Sequence, residues 1–319
     1  MRTFKNLTRG NLSLKVCKTE KVHRNSSVLL LAILLPLSIM VLSYWPTIEI
    51  LFDDWQNNDD YSAGQLVPLI ALFLIWRERK VLKDCPLTPC WWAGMALLLF
   101  AQTTRFYGFL SARYSVERYS LVLTMMGLVL LVAGWQVFKA VKWILVFLFL
   151  MVPPPVRVHN YISGPLQTMA TSGSVFLLEA FGVHVSRQGN VIMLNENIPM
   201  AVAEACSGLR MLTAFVIVAA FMAYMVKRSR FKKAFLLVSS IPVAVMCNIV
   251  RLCVTAILFM IASTETAEKF FHDFAGLVMM PVAVMLMFAE LWLLDKIIEP
   301  EPAAPSRSIR TAKSECGNY

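Results

Sequence analysis

Apolar runs separated by short charged stretches make up most of the chain, and their order predicts a bundle of membrane-crossing helices. The runs cover residues 28–45, 64–76, 91–103, 121–135, 141–152, 205–226, 234–262 and 274–294. Several approach the roughly 20 apolar residues that a helix needs to cross a bilayer. The third and fifth are short for that task, and Pro153-Pro154-Pro155 stops the fifth, because proline cannot continue a helix. The fold class expected is an all-α polytopic integral membrane protein with about eight transmembrane helices. The long interval before the sixth run has a pattern of its own. Ile162, Leu166, Met169, Val175, Leu178 and Phe181 recur at helical spacing, as in a helix lying along the membrane interface. Arg187-Gln188-Gly189-Asn190 then stands between β-branched residues, which predicts a hairpin over 183–193.

Charge orients this bundle. Residues 1–26 are basic, whereas the interval after the first run carries Glu49, Asp53, Asp54, Asp59 and Asp60 and no Lys or Arg, and reads as an acidic loop. With the N-terminus inside, 22 of the 30 Lys and Arg fall in cytoplasmic segments. Six (Arg105, Arg113, Arg118, Arg157, Arg187 and Lys269) fall outside, and Arg210 and Arg251 lie within spans. That bias follows the positive-inside rule and predicts that both termini are cytoplasmic. The first run leads into Trp45-Pro46 without a small-x-small cleavage site, so it reads as an uncleaved helix rather than a signal peptide. The expected plan is a basic cytoplasmic tail (1–26), a membrane domain (27–298) with an extracytoplasmic helix-and-hairpin segment (153–204), and a disordered cytoplasmic tail (299–319).

Composition changes the picture in two respects. A mean hydropathy of +0.63 excludes an ordinary soluble domain. The net charge of +10 comes from clusters set between apolar runs, so the partner it indicates is the lipid bilayer and not nucleic acid. Cys85 and Cys90 form a single Cys-x4-Cys without a second pair, and no Gly-rich phosphate loop follows a strand pattern, so no metal or cofactor is expected.

The candidate chemistry sits at Ala203-Glu204-Ala205-Cys206-Ser207-Gly208-Leu209-Arg210. If the sixth helix starts at Ala205, Cys206 lies in its first turn, where free N–H groups and the helix dipole favour a thiolate. Arg210 would then share its face one turn on. His272 opens the eighth run on the same side. Arg251 lies 17 positions after Ala234, about 26 Å along a helix axis, near the far side of a hydrocarbon core of about 30 Å. Cys206, Arg251 and His272 therefore converge at one depth, and Asn248 shares the face of Arg251. Bland readings exist for each: a buried structural cysteine, a snorkelling arginine, an interfacial histidine. His159 and His184 are further histidines on that side.

Three short motifs tip that balance. Ala205-Cys206-Ser207-Gly208-Leu209-Arg210, Asn248-Ile249-Val250-Arg251 and Phe271-His272-Asp273 resemble the signatures of the exosortase/archaeosortase family. The resemblance extends over Tyr61-Ser62-x-Gly64, Val67-Pro68, the turn at Pro153 and the segment 182–190, although Ala63 stands where relatives often have histidine. It implies a polytopic membrane cysteine endopeptidase and transpeptidase in a bacterial inner membrane, with its active site facing the periplasm. Its partners would be secreted proteins ending in a Pro-Glu-Pro-like motif, a transmembrane helix and a basic cluster. Cys206, Arg251 and His272 would be catalytic, and Arg210, Asn248, Ser207 and Asp273 supporting. The acceptor nucleophile (water, amine or lipid) is open. The alternative class is a non-enzymatic membrane component or transporter of exopolysaccharide export.

Overall fold

The computed structural model describes residues 26–195, 198–201, 208–226, 228–261 and 275–297. Residues 1–25 and 298–319, which hold the two expected tails, lie outside that description. The described chain is a mostly helical membrane protein. Its helices are α1 (Ser26–Ser43), α2 (Trp45–Asn57), α3 (Leu66–Arg77), α4 (Arg79–Asp84), α5 (Trp91–Leu110) and α6 (Tyr114–Leu128), then α7 (Trp135–Phe147), α8 (Val156–Ala180), α9 (Leu209–Met225), α10 (Arg230–Ile261) and α11 (Ala275–Ile297). A 3-10 stretch, Asp59–Gln65, joins α2 to α3.

Helix α10 illustrates how such a sequence folds in lipid. Leu236, Ser240, Ala244, Asn248, Arg251, Leu252 and Thr255 are buried along one stripe, while Val238, Ile241, Met246, Val250, Val254 and Ile257 are exposed. Polar groups thus face the protein and large apolar ones face outward, the reverse of a soluble helix. Lipid tails make that arrangement favourable, because polar side chains find partners only inside the bundle. By length and composition, the stretches Tyr114–Ala133 and Arg230–Ile261 each suffice to cross a bilayer. Two further pairs suffice if each is one broken span: α1 with α2, bent by 66°, and Trp135–Met151 with α8, bent by 78°. The second bend falls at the three prolines, as their chemistry requires.

Three expectations change. The interval 46–60 is helical up to Asn57 rather than a loop: Thr47 and Leu51 are buried one turn apart, and Glu49, Asp53 and Asp54 lie on its other positions beside exposed Ile50 and Phe52. Helix α6 begins at Tyr114, seven residues before the predicted run, so Arg118 is buried in a helix, ion-paired to Asp54 of α2, and does not sit in an exposed loop. The hairpin forms as predicted, β1 (Val185–Gln188) against β2 (Val191–Leu194), but a third strand β3 (Ile198–Ala201) pairs antiparallel with β2. The protein remains mostly helical, and the predicted hairpin segment gains one strand. Pro199 pairs with Met193 on that third strand, and the sheet order β1-β2-β3 leaves β3 at an edge, where a missing N–H is tolerated.

The sheet closes over α8 and α10. Ile192, Leu194 and Met200 pack in one apolar cluster with Ala170 and Leu178 of α8 and Ile249, Leu252 and Cys253 of α10. A second cluster joins α9, α10 and α11 through Phe215, Leu236 and Met287. Between them these clusters seat the start of α9 against the middle of α10.

Candidate active site

Gly208 governs how α9 begins. It is the N-cap residue and adopts a left-handed backbone, φ +83°, which glycine reaches without steric cost. A β carbon at this position would also lie 2.8 Å from Asn248 Nδ2. The glycine is therefore required twice, by its conformation and by the amide pressed against it. Asn248 is 1% exposed and Arg251, three residues on along the same buried stripe, is 6% exposed. The Arg251 carbonyl accepts from Thr255 Oγ1 at 2.9 Å, which occupies that hydroxyl within the helix.

Two of the three motifs singled out in the sequence thus meet directly. A narrow crevice runs between Leu166 and Ala170 of α8, Gly208 and Leu212 at the start of and within α9 respectively, and Val245 and Asn248 of α10. Arg210 is half-buried in the first turn of α9. The Thr213 hydroxyl, one turn further, lies 2.9 Å from the Arg210 carbonyl and 3.1 Å from the Asp60 carbonyl, so its single hydrogen joins α9 to the 3-10 stretch.

One expectation about this segment is corrected. The sixth helix starts at Leu209, not at Ala205, because left-handed Gly208 cannot be part of it. No continuous helix therefore runs from Cys206 to Arg210 to put them on one face a turn apart. Cys206, Ser207, His272 and Asp273 lie outside the described residues. The other two thiols near this region are Cys247, half-buried, and Cys253, buried with Sγ 3.7 Å from the Ser174 carbonyl.

The sequence reading passed over a second group beside the first. His159, in the first turn of α8, has Nδ1 2.5 Å from Tyr61 Oη and Nε2 3.8 Å from Asp60 Oδ2. Burial, and then the charges of Asp60 and Asp54, push the Tyr61 phenol well above its usual range. Gly64, three residues after Tyr61, lets Trp55 close in: a β carbon there would sit 2.8 Å from Trp55 Nε1, which donates to the Met151 carbonyl at 2.9 Å. The Tyr61-Ser62-x-Gly64 pattern was visible in the sequence; that His159 meets it across 98 positions was not. Among the described residues, no three His, Cys, Asp or Glu side chains gather as a metal site.

Comparison with protein families matches residues 55–289 to the model described as transmembrane exosortase (Exosortase_EpsH). That interval contains the 3-10 stretch, all of the sheet, and the start of α9 with Asn248 and Arg251. Comparison with curated proteins and with solved structures gave no match.

Proposed function

The chain belongs to the transmembrane exosortase family, and from that premise we propose that it is a membrane cysteine endopeptidase and transpeptidase. Its substrates are secreted proteins tethered by a C-terminal sorting signal: a short Pro-Glu-Pro-like motif, an apolar helix and a basic cluster. The accompanying topology has eight spans, both termini in the cytoplasm and the reaction at the outer face of a bacterial inner membrane.

In this reading the Cys206 thiolate attacks the scissile carbonyl. The peptide C–N bond breaks, a thioester forms, and the leaving amine takes a proton from His272. An acceptor (water, amine or lipid) then gives its proton to His272 and attacks the thioester, and the C–S bond breaks to free the thiolate. Arg251 presents a planar, permanently charged fork to the oxyanion, and Asn248 holds it in place. Arg210 biases Cys206 toward thiolate or binds a substrate carboxylate. Ser207 and Asp273 support the nucleophile and the histidine.

The observation that carries this reading is the contact of Asn248 with Gly208. It joins the segment two residues after Cys206 to the helix that bears Arg251. An apolar membrane helix tolerates a buried arginine only where function or a partner retains it. The reading is tested with Cys206→Ala and Cys206→Ser in membranes, following release of the sorting tail. Both are expected to abolish processing at normal membrane abundance, whereas changes at Cys85, Cys90 or Cys316 leave it intact. Processing that survives in Cys206→Ala would end the thioester mechanism. The two bent helix pairs favour the second reading, a transporter with broken spans. It predicts polysaccharide export that continues unchanged in Cys206→Ala.

A further inference from the structure

His159 takes no part in the mechanism above, yet it ties together three elements around the start of α9. It lies where α8 leaves the proline turn, its backbone N–H bonded to the Pro155 carbonyl at 3.0 Å. Its ring meets Tyr61 edge-on with centroids 5.8 Å apart. Asp60 and Tyr61 are consecutive residues in a stretch that Asn58 already shapes. The Asn58 side chain accepts from the Asp60 N–H at 3.1 Å, and its carbonyl accepts from the Tyr61 N–H at 3.1 Å. On its far side, the Asp60 carbonyl is the one that the Thr213 hydroxyl of α9 approaches.

We propose that His159 is a positioning residue for the reaction. By holding Asp60 and Tyr61, it fixes the 3-10 stretch against which the first turns of α9 are set. The proposal rests on the peptidase reading.

The hydrogen-bond roles follow from the surroundings. Tyr61 is half-buried beside acidic groups, which keeps its hydroxyl protonated and able to donate. His159 Nδ1 is then the acceptor, and the ring hydrogen sits on Nε2, facing the Asp60 carboxylate. An imidazole with these roles hydrogen-bonds Tyr61 and holds Nε2 3.8 Å from Asp60 Oδ2, an electrostatic contact between consecutive side chains. Asp60 is 6% exposed, so the carboxylate cannot exchange this partner cheaply for water. The tie reaches the proposed chemistry through geometry alone: the Asp60 carbonyl, Thr213 Oγ1, and the Arg210 carbonyl one turn earlier. Displacements of about 1 Å at a reacting group cost on the order of a hundredfold in rate. A loosened start of α9 should therefore lower kcat, with little change in substrate affinity.

The test uses the full-length enzyme in detergent and a fluorogenic peptide carrying a Pro-Glu-Pro motif, an apolar helix and a basic cluster. His159→Leu removes both contacts and is expected to lower kcat by about ten- to a hundredfold with KM within about twofold. His159→Gln supplies an amide oxygen for Tyr61 and an amide N–H for Asp60, and is expected to restore kcat to within about threefold of wild type. Tyr61→Phe deletes one hydroxyl, keeps the fold if His159→Leu does not accumulate, and is expected to lower kcat in the same direction. Wild-type kcat in both His159→Leu and Tyr61→Phe would overturn the proposal. So would a His159→Gln as inactive as the leucine variant, which would make the imidazole itself a catalytic group. Cys206→Ala is run alongside. If it is inactive while the His159 and Tyr61 variants are unaffected, only this inference falls; if it is active, the peptidase reading falls as well.

Discussion

Arg118 and Arg251 are buried almost equally, at 8% and 6% exposed, yet they sit in different kinds of surroundings. Arg118 on α6 is neutralised by Asp54 of α2, in a region where polar side chains are bonded to one another. Next to it Thr47 Oγ1 donates to Glu117 at 2.9 Å, and Tyr44 Oη lies 3.0 Å from Ser120 Oγ and 2.9 Å from Thr124 Oγ1. Arg251 on α10 follows a neutral amide, Asn248, that is pressed against the glycine capping the next helix. The first arginine thus serves an internal ion pair that locks α2 onto α6. The second stands where α9 and α10 bring two of the three family motifs together, at Gly208 and Asn248. Burial alone does not distinguish these two arginines; the chemistry of their neighbours does.

The sharpest way to break that comparison is to keep the charge and change the shape. Arg251→Lys retains a cation but loses the planar fork, so if Arg251 binds the oxyanion, processing should fall by about a hundredfold to a thousandfold. The thermal midpoint of the purified protein should barely move, because the buried charge is still present. Peptide release at equal folded-protein content measures the first, and a melt in detergent the second. A loss of only a few fold would mean that Arg251 acts as a point charge, and the fork would have no role.

Arg118 should respond in the opposite way. Arg118→Leu leaves the Asp54 carboxylate without its cation, and hydrogen bonds to charged groups contribute about 1.5–3 kcal/mol. The expectation is a lower melting midpoint and less protein in the membrane, while the turnover of each folded molecule stays near wild type. Arg118→Leu combined with Asp54→Asn should recover part of the stability, since no charge is then left unpaired. Reduced turnover in a sample of normal stability would erase the distinction between the two arginines.

The sequence made part of this contrast legible and hid the rest for definite reasons. Apolar length and proline position anticipated α10 and the break before α8, because lipid imposes those patterns on any helix. Asn248 and Arg251 were readable as one face from their spacing. Arg118 was assigned to an outer loop because its seven-residue extension of α6, Tyr114 to Ser120, is polar; that polarity is satisfied by Tyr44 and by Thr47 and Asp54 of α2, which no local window includes. The third strand was hidden by Pro199, which reads against strand unless its edge position is known. The tie of His159 to Asp60 and Tyr61 spans about a third of the chain, and no periodicity encodes it.

Arg210 supplies the smallest and most discriminating prediction. The expectation that it lowers the thiol of Cys206 from the same helix face assumed an unbroken helix between them, and the left-handed Gly208 removes that assumption. What remains is a charge at the start of α9, half-buried, whose backbone carbonyl is already committed to Thr213. Charges near a helix end contribute roughly 0.3–1 kcal/mol, so a role limited to charge corresponds to about two- to fivefold in rate. Arg210→Lys keeps the charge and should stay within that range, and Arg210→Gln should fall at its upper end. The rate of Cys206 alkylation across pH reads the same quantity directly: the glutamine variant should need a higher pH for half-maximal reaction, and the lysine variant should not. If Arg210→Lys instead loses as much activity as Arg251→Lys, then both forks engage the substrate. The contrast between a functional and a structural arginine would then extend to a pair of functional ones, on α9 and α10, facing a single structural one on α6.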